Sequence, residues 1–461
     1  MDEKAYDVIV IGAGAGGIPA AIRAAQLGGR VAIVEQDTLG GLCMNRGCIP
    51  VVHMMVASSI IGNLVLGKEM GLRCQRIEND YGTLKKRQEA LIDFMRQGVQ
   101  GMLRKNGIHL LRGKGTLDGP GRVRVNGEVI NGRNIIVATG GRWTRPSFPG
   151  ADLVQVSNSD YLLTTKTLPS RCLVCGGGPV AIEIAQFLSR FGSNVFLVTK
   201  EKSLLDRESK TIRSRLSKVL QKEGIKVYTR AEVVSLEEGR QGLHCVLRKG
   251  DKEEAINIDR VISVEREANL KGLGLDTVGL QEDAQFLVVN EKMETSVKGL
   301  YGVGDISAPE NRHYSHAAAM GGIIAAENAM GRNRKFDSRL VTRVAFTQPQ
   351  IACVGYTKKE AKKAGYDVVV GSAPLSTNPL GMILSQNEGI VEVVSEKKYG
   401  EILGIHILGE GACEMAGGAI VAIQMELCLE ELANVPFPHP TLSESLSEAA
   451  RDALGVGIYL P

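Results

Sequence analysis

Cys43 and Cys48 stand close together in the run Cys43-Met44-Asn45-Arg46-Gly47-Cys48, after Gly40-Gly41 and before Ile49-Pro50. Two thiols at this spacing can open and close as a pair. In a regular helix, five steps of about 1.5 Å each would carry the Cα atoms beyond the roughly 6.8 Å that a disulfide tolerates, so a bend is required, and Gly47 can supply it. A bridge across so short a loop removes little unfolded-state entropy, which makes reversible redox chemistry the better reason for one. Spacing alone leaves two unrelated buried thiols as an equal explanation, because free cysteine is commonly a small core residue.

A second reactive group lies far along the chain, in Pro438-His439-Pro440-Thr441-Leu442-Ser443-Glu444. Prolines on both sides hold the backbone extended and present the imidazole rigidly. Glu444 opens the next helical pattern and can accept a hydrogen bond from His439, fixing its tautomer and raising its proton affinity. That is how a general base for a dithiol is built.

The elements that must position these groups are α/β in character. Tyr6 to Ile11 is a β-branched strand, followed by Gly12-Ala13-Gly14-Ala15-Gly16-Gly17 and a helical pattern from Ile18 to Leu27. Gly12 permits the tight turn, Gly14 lets a pyrophosphate approach the backbone, and Gly17 lets helix pack on strand, while the helix N-terminus offers free N–H groups. The next strand, Arg30 to Val34, ends at Glu35, where a carboxylate can accept both hydroxyls of an adenosine ribose. Strand, turn, helix, strand and acid together make a dinucleotide site.

The pattern recurs. Cys172 to Cys175 is a strand, Gly176-Gly177-Gly178-Pro179 a turn, a helix runs through Phe191, and the strand Asn194 to Val198 ends at Thr199 rather than at an acid. Lys200 and Lys202 follow, and cations there suit a 2′-phosphate, so the local pattern leans towards NADP over NAD. Asn134 to Val137 is a buried strand running into Ala138-Thr139-Gly140-Gly141. Asp305 follows Gly302-Val303-Gly304 at a strand's carboxyl end, where it can hold a polyol or ribityl hydroxyl.

Composition sets bounds. The chain has 461 residues, a hydrophobic fraction of 44%, 55 glycines, and 55 Lys+Arg against 51 Asp+Glu for a net charge of +4. That balance calls for neither a nucleic-acid nor a membrane surface. No apolar stretch reads as long enough to span a bilayer, the N-terminus has no signal-peptide pattern, and nine cysteines without one point to a reducing, cytoplasmic compartment. No metal site is read. Cys172 and Cys175 are taken as core residues, and Cys74, Cys245, Cys353, Cys413 and Cys428 as packing residues without partners.

From Val344 onward, alternating strands such as Gly389 to Val394 and Ile402 to Ile407 are followed by helices from Cys413 to Glu426 and Ser443 to Leu454. The fold expected is α/β, with two Rossmann-like dinucleotide-binding domains plus a C-terminal α+β domain. Its divisions are 1–149 and 271–338 for the first dinucleotide, 150–270 for the second, and 339–461 for the C-terminal domain.

The glycine turn at Gly12, Gly40-Gly41 with Cys43 and Cys48, Ala138-Thr139-Gly140, Gly302 to Asp305, Phe346-Thr347-Gln348-Pro349 and His439 to Glu444 occur in an order and spacing that resemble the pyridine nucleotide-disulfide oxidoreductases. The resemblance runs nearly end to end and is nearest the branch that acts on dihydrolipoyl groups. It implies FAD on Gly12, Gly14, Gly17, Glu35, Gly41, Thr139, Gly140, Asp305 and His316, and NAD or NADP on Gly176, Gly178, Glu183, Thr199, Lys200 and Glu265. It also implies a homodimer, its interface formed by residues 339–461, in which His439 and Glu444 reach the cysteine pair of the other subunit. Cys43 would exchange disulfides with a lipoyl domain or other lipoylated protein, and Cys48 would pass electrons on as a thiolate. Protonated His439 and Arg46 would favour that thiolate.

Several positions depart from the pattern. Val52 stands where a lysine usually pairs with the acid matched by Glu183, so Glu183 must bind a proton, find another cation such as His53, or stay wet. Glu265 replaces a glycine that lies against the nicotinamide ribose, Pro179 and Thr199 are further changes, and Ala317 follows His316 in place of a lysine. Two alternatives remain: an NADPH-dependent reductase of another disulfide, and an FAD subunit of a lipoyl-linked complex with a degenerate nucleotide site.

Overall fold

The computed structural model describes residues 5–73, 78–240, 242–307 and 314–460; Cys74 lies outside them. The chain forms two compact units. One comprises Met1–Val51, Gly82–Thr144 and Glu265–Val341, the other Val52–Tyr81, Arg145–Val264 and Thr342–Pro461.

The first unit is built on a parallel sheet. Its strands His109–Arg112, Val31–Glu35, Tyr6–Ile11, Glu128–Val137 and Leu300–Gly302 lie side by side in that order. Alternate residues of Tyr6–Ile11 point to opposite faces, and both faces are buried: Val8 and Val10 join one apolar cluster, Ile9 and Ile11 another. That accounts for the unbroken β-branched run, since a strand covered on both sides has no polar face. Strand order reverses at Tyr6–Ile11, so a crevice opens beyond the carboxyl ends of this strand and Glu128–Val137. Gly12 and Thr139-Gly140 sit at those ends.

The second unit holds two sheets of different kinds and a three-stranded antiparallel extension. One is parallel, in the order Lys226–Thr229, Asn194–Thr199, Arg171–Cys175, Arg260–Ser263 and Val156–Ser157. The other is antiparallel, in the order Arg343–Ala345, Gln350–Gly355, Ile402–Gly409, Ile390–Glu396 and Val368–Pro374. Helix Ala412–Gln424 packs on the middle strands of the antiparallel sheet and helix Glu444–Ala453 on its far edge.

One expectation needs correcting. The helical run Gly41–Glu69 is long and apolar enough to cross a membrane, with a mean hydropathy of 1.8. Isolated polar residues such as Asn45, Arg46 and His53 interrupt the run to the eye, yet do not undo its average apolarity over a span's length. Length and composition are all that is shown to be shared with a spanning helix, and the backbone breaks at Arg46-Gly47 between helices Gly41–Asn45 and Cys48–Glu69.

Candidate active site

The break in the helix is what pairs the thiols. Gly40 and Gly41 have φ of 99° and 59°, a left-handed region that a side chain would strain, and they start the short helix carrying Cys43. A Cβ on Gly47 would meet Leu42 Cδ2 at 2.8 Å, so a larger residue where the chain turns back towards Cys48 would have to displace the Leu42 side chain. Asn45 is buried and ties the turn together, its Nδ2 donating to the carbonyls of Gly41 (2.7 Å) and Leu39 (3.1 Å) and its Oδ1 accepting from Arg96 Nε at 2.7 Å. Sequence reading missed Asn45 because its partners are carbonyls and a remote arginine.

The two half-buried thiols hydrogen-bond to each other, and their environments divide one proton unequally. Cys48 is pulled down to about 6, first by the hydrogen bond from Cys43 and then, against its own burial, by Ser315 and the positive charge of Arg266. Ser315 Oγ is 3.1 Å from Cys48 Sγ. Cys48 is also the first residue of the helix Cys48–Glu69, where unpaired N–H groups favour an anion. Cys43 is pushed up by Cys48 and by burial. In the reduced pair the thiolate therefore belongs to Cys48 and the proton to Cys43.

Arg266, the residue after Glu265, is a cation that acts on Cys48. Arg46 is held by an ion pair with Asp37 and is half exposed. Arg266 is nearly buried, donates to Asp305 Oδ2 at 3.3 Å and lies 5.2 Å from the centre of the Trp143 ring. Asp305 is thus linked through Arg266 to the cysteine pair. Ser315 and Arg266 lie more than two hundred residues from Cys48 in the chain, and no local pattern announces either contact.

The crevice of this unit fits FAD. A Cβ on Gly12 would strike the Ala138 carbonyl oxygen at 2.4 Å, and one on Gly41 would lie 2.8 Å from Gly14 Cα, so the phosphate turn and the loop before the cysteines approach as bare backbone. A Cβ on Gly17 would meet the Gly12 oxygen at 1.9 Å, which is why helix and strand need glycine there. Glu35 is buried, its two oxygens accepting the N–H groups of Ala13 (2.7 Å) and Asp37 (2.8 Å), and this fixes the carboxylate while leaving lone pairs for ribose hydroxyls. Thr139 Oγ1 donates to the Asn269 carbonyl at 2.8 Å, Gly140 has φ of 68°, and His316 is an exposed first-turn residue of helix Ser315–Ala329.

In the second unit, Gly176 has φ of 137°, Gly178 caps the helix Pro179–Arg190, and Pro179 takes its first turn without an N–H to offer. Thr199 is buried, and a Cβ on Gly177 would meet its Oγ1 at 2.8 Å. Lys200 pairs loosely with Glu232 at 3.8 Å while remaining largely exposed. Glu183 is buried and accepts the Phe346 N–H at 2.7 Å, so a backbone donor stabilises the carboxylate where the usual lysine is Val52. Glu265, in the first unit, is exposed, and its carbonyl accepts the Thr144 N–H at 3.0 Å.

His439 Nδ1 lies 3.0 Å from Glu444 Oε1, and the other carboxylate oxygen accepts the Thr441 N–H at 2.9 Å. Glu444 is thereby clamped and orients the imidazole, whose outer nitrogen faces solvent in a side chain 67% exposed. A proton acceptor held in this way is available to an incoming thiol.

Comparison with known proteins agrees with this chemistry. The family described as Pyridine nucleotide-disulphide oxidoreductase matches residues 6–321, and its dimerisation domain matches 341–450. The chain is 38% identical over 453 residues to the dihydrolipoyl dehydrogenase of Thermus scotoductus, covering 97% of each. It is 32% identical to that of Rhizobium etli, with 98% of each covered, and 31% identical to one from Bacillus subtilis, with 98% of this chain and 97% of that protein covered. With matches that span nearly the whole chain, it belongs to the pyridine nucleotide-disulphide oxidoreductase family as an FAD-dependent disulfide oxidoreductase.

Proposed function

We propose that the protein is a dihydrolipoyl dehydrogenase that oxidises dihydrolipoyl groups on a lipoyl domain and delivers the electrons to NAD or NADP. The observation that carries this is the asymmetry of the pair, with Cys48 pulled down to about 6 beside Arg266 and Ser315 while Cys43 keeps the proton. His439, oriented by Glu444, takes a proton from the substrate dithiol, serving the cysteine pair of the other subunit of a homodimer. The substrate thiolate attacks Cys43 Sγ, the Cys43–Cys48 bond breaks, and the electron pair goes to Cys48 Sγ. The second substrate thiol then displaces Cys43, closing the substrate disulfide and leaving Cys43 as a thiol. Bound FAD supplies two-electron transfer between this thiolate and the nicotinamide. Gly12, Gly14, Gly17, Gly41, Glu35, Thr139, Gly140, Asp305 and His316 would hold it, and Gly176, Gly178, Glu183, Thr199, Lys200 and Glu265 the nicotinamide partner.

The sheet types support assigning 1–149 and 271–338 to the flavin, 150–270 to the nucleotide and 339–461 to the dimer interface. Buried thiols such as Cys172 and Cys245 support a reducing, cytoplasmic setting. Pro179 in the second turn and the exposed Glu265 favour a second reading, an FAD subunit that accepts electrons from a lipoyl partner without using a nucleotide. One anaerobic titration separates the two. The flavin spectrum is followed while dihydrolipoamide, NADH and NADPH are each added to oxidised enzyme. Reduction by dihydrolipoamide and by one nucleotide is the expected result. A response to dihydrolipoamide alone selects the subunit, and a response to NADPH alone selects a reductase of another disulfide.

A further inference from the structure

The antiparallel sheet of the second unit carries a row of polar side chains where an apolar face is expected. Arg343 is paired in register with Cys353, Cys353 with His406, His406 with Glu392, and Glu392 with Ser372, so all five stand on one face as cross-strand neighbours. The segment before helix Lys210–Lys222 covers the row. Glu208 accepts from Arg343 Nε at 2.7 Å and from Nη2 at 3.1 Å, and Ser209 Oγ donates to Glu392 Oε2 at 2.6 Å. Glu208, Cys353 and His406 are all buried.

The protonation states follow from the hydrogen bonds. His406 Nε2 lies 3.0 Å from the Tyr356 carbonyl, which can only accept, so the ring proton is on Nε2. Nδ1 is then a bare lone pair, fully buried and without a hydrogen-bond partner among the described residues. An imidazole fixed through one nitrogen to a carbonyl, with the other left open, is arranged as metal-binding histidines are.

We propose that Glu208, Cys353 and His406 form a binding site for a thiophilic divalent cation of the zinc class. Sulfur, imidazole nitrogen and carboxylate oxygen are a zinc donor set. Their ligand atoms lie within 4.8 Å of one another. Zinc bonds of about 2.0–2.3 Å place tetrahedral donors about 3.5 Å apart, so side-chain rotation closes the site around the ion. Charge also favours the ion. Glu208 and Glu360 lie beside Arg343, and Glu392 acts on His406, so the ion enters a cluster already rich in carboxylates. Sequence alone assigns no metal here because the three ligands come from distant segments. Bound metal would pin the segment before helix Lys210–Lys222 to the sheet.

The test uses oxidised holoenzyme, in which the Cys43–Cys48 disulfide is closed and offers no thiolate. Zinc is added, excess is removed by gel filtration, and retained metal is measured with its X-ray absorption fine structure. The expected result is one zinc per chain with one sulfur among its neighbours, release of one proton per zinc, and loss of retention in Cys353→Ser and His406→Asn with the flavin spectrum unchanged. No zinc retained by the parent protein, equal retention by both variants, or a zinc shell without sulfur overturns the proposal. The fine-structure measurement on the parent protein decides the matter even where a variant does not fold.

Discussion

Cys48 and Cys353 both lie beside a charged side chain, and their neighbours act in opposite directions. Cys48 is half buried at the head of a long helix, with Ser315 on its sulfur and Arg266 close by, and it falls to about 6. Cys353 is fully buried in mid-strand with Glu208 as its partner, and it rises well above an ordinary thiol. The same atom is a nucleophile in one place and an inert proton holder in the other. The hydrogen bond from Cys43, then Ser315 and Arg266, pull Cys48 down, whereas burial first and Glu208 second hold Cys353 up against the nearby Arg343.

The largest test removes the reactive member. Cys48→Ser should lower dithiol-dependent turnover by roughly 10⁴-fold or more while flavin stays bound, measured as steady-state rate and flavin absorbance; a rate within an order of magnitude of the parent would break the comparison at its first term. On the other side, Arg343→Ala leaves Glu208 buried without its ion-pair partner. Urea denaturation should show a loss of about 3–5 kcal/mol, with a far smaller loss for the double variant Glu208→Leu/Arg343→Met, in which neither charge is stranded.

Arg266→Met probes the cation beside Cys48. A group whose value is lowered is charged above that value, so alkylation of the reduced parent by iodoacetamide should rise as pH climbs through about 6 and then level off. In the variant the rise should move to higher pH, with a rate at the parent's midpoint about threefold to tenfold lower. An unmoved profile would assign the low value of Cys48 to Cys43, Ser315 and the helix terminus without Arg266. Ser315→Ala should move the midpoint in the same direction and at least as far, by about one pH unit, as the loss of a hydrogen bond to a thiolate of about 1.5 kcal/mol implies. In every variant Cys353 should resist alkylation until the protein is unfolded, which mass mapping of labelled peptides checks.

What could be read from the chain follows the range of each interaction. The strand Tyr6–Ile11 and the turn at Gly12 are legible because a β-branched run and a left-handed φ are local demands. His439 and Glu444 are legible for the same reason, since five residues across a proline-bounded turn keep them within reach. Arg46 is legible as a cation beside the cysteines because it lies inside their loop, whereas Arg266 reaches Cys48 only through the fold. Cys353 is buried as a packing residue should be, and its polar neighbours Glu208 and His406 are not legible in the sequence because they arrive only when two strands and a preceding loop are laid together.

The sequence by itself determined the kinds of chemistry present: a thiol pair across a glycine bend, two phosphate-binding turns and a histidine with its carboxylate. Each rests on residues within a few positions of one another, where backbone geometry alone restricts the outcome. Only the tertiary structure decided which thiol carries the charge and which buried cysteine faces an anion. Those outcomes depend on Arg266, Ser315, Glu208 and His406 arriving from distant segments, and electrostatic interactions in a poorly solvated interior are settled by distances in space that chain order does not encode.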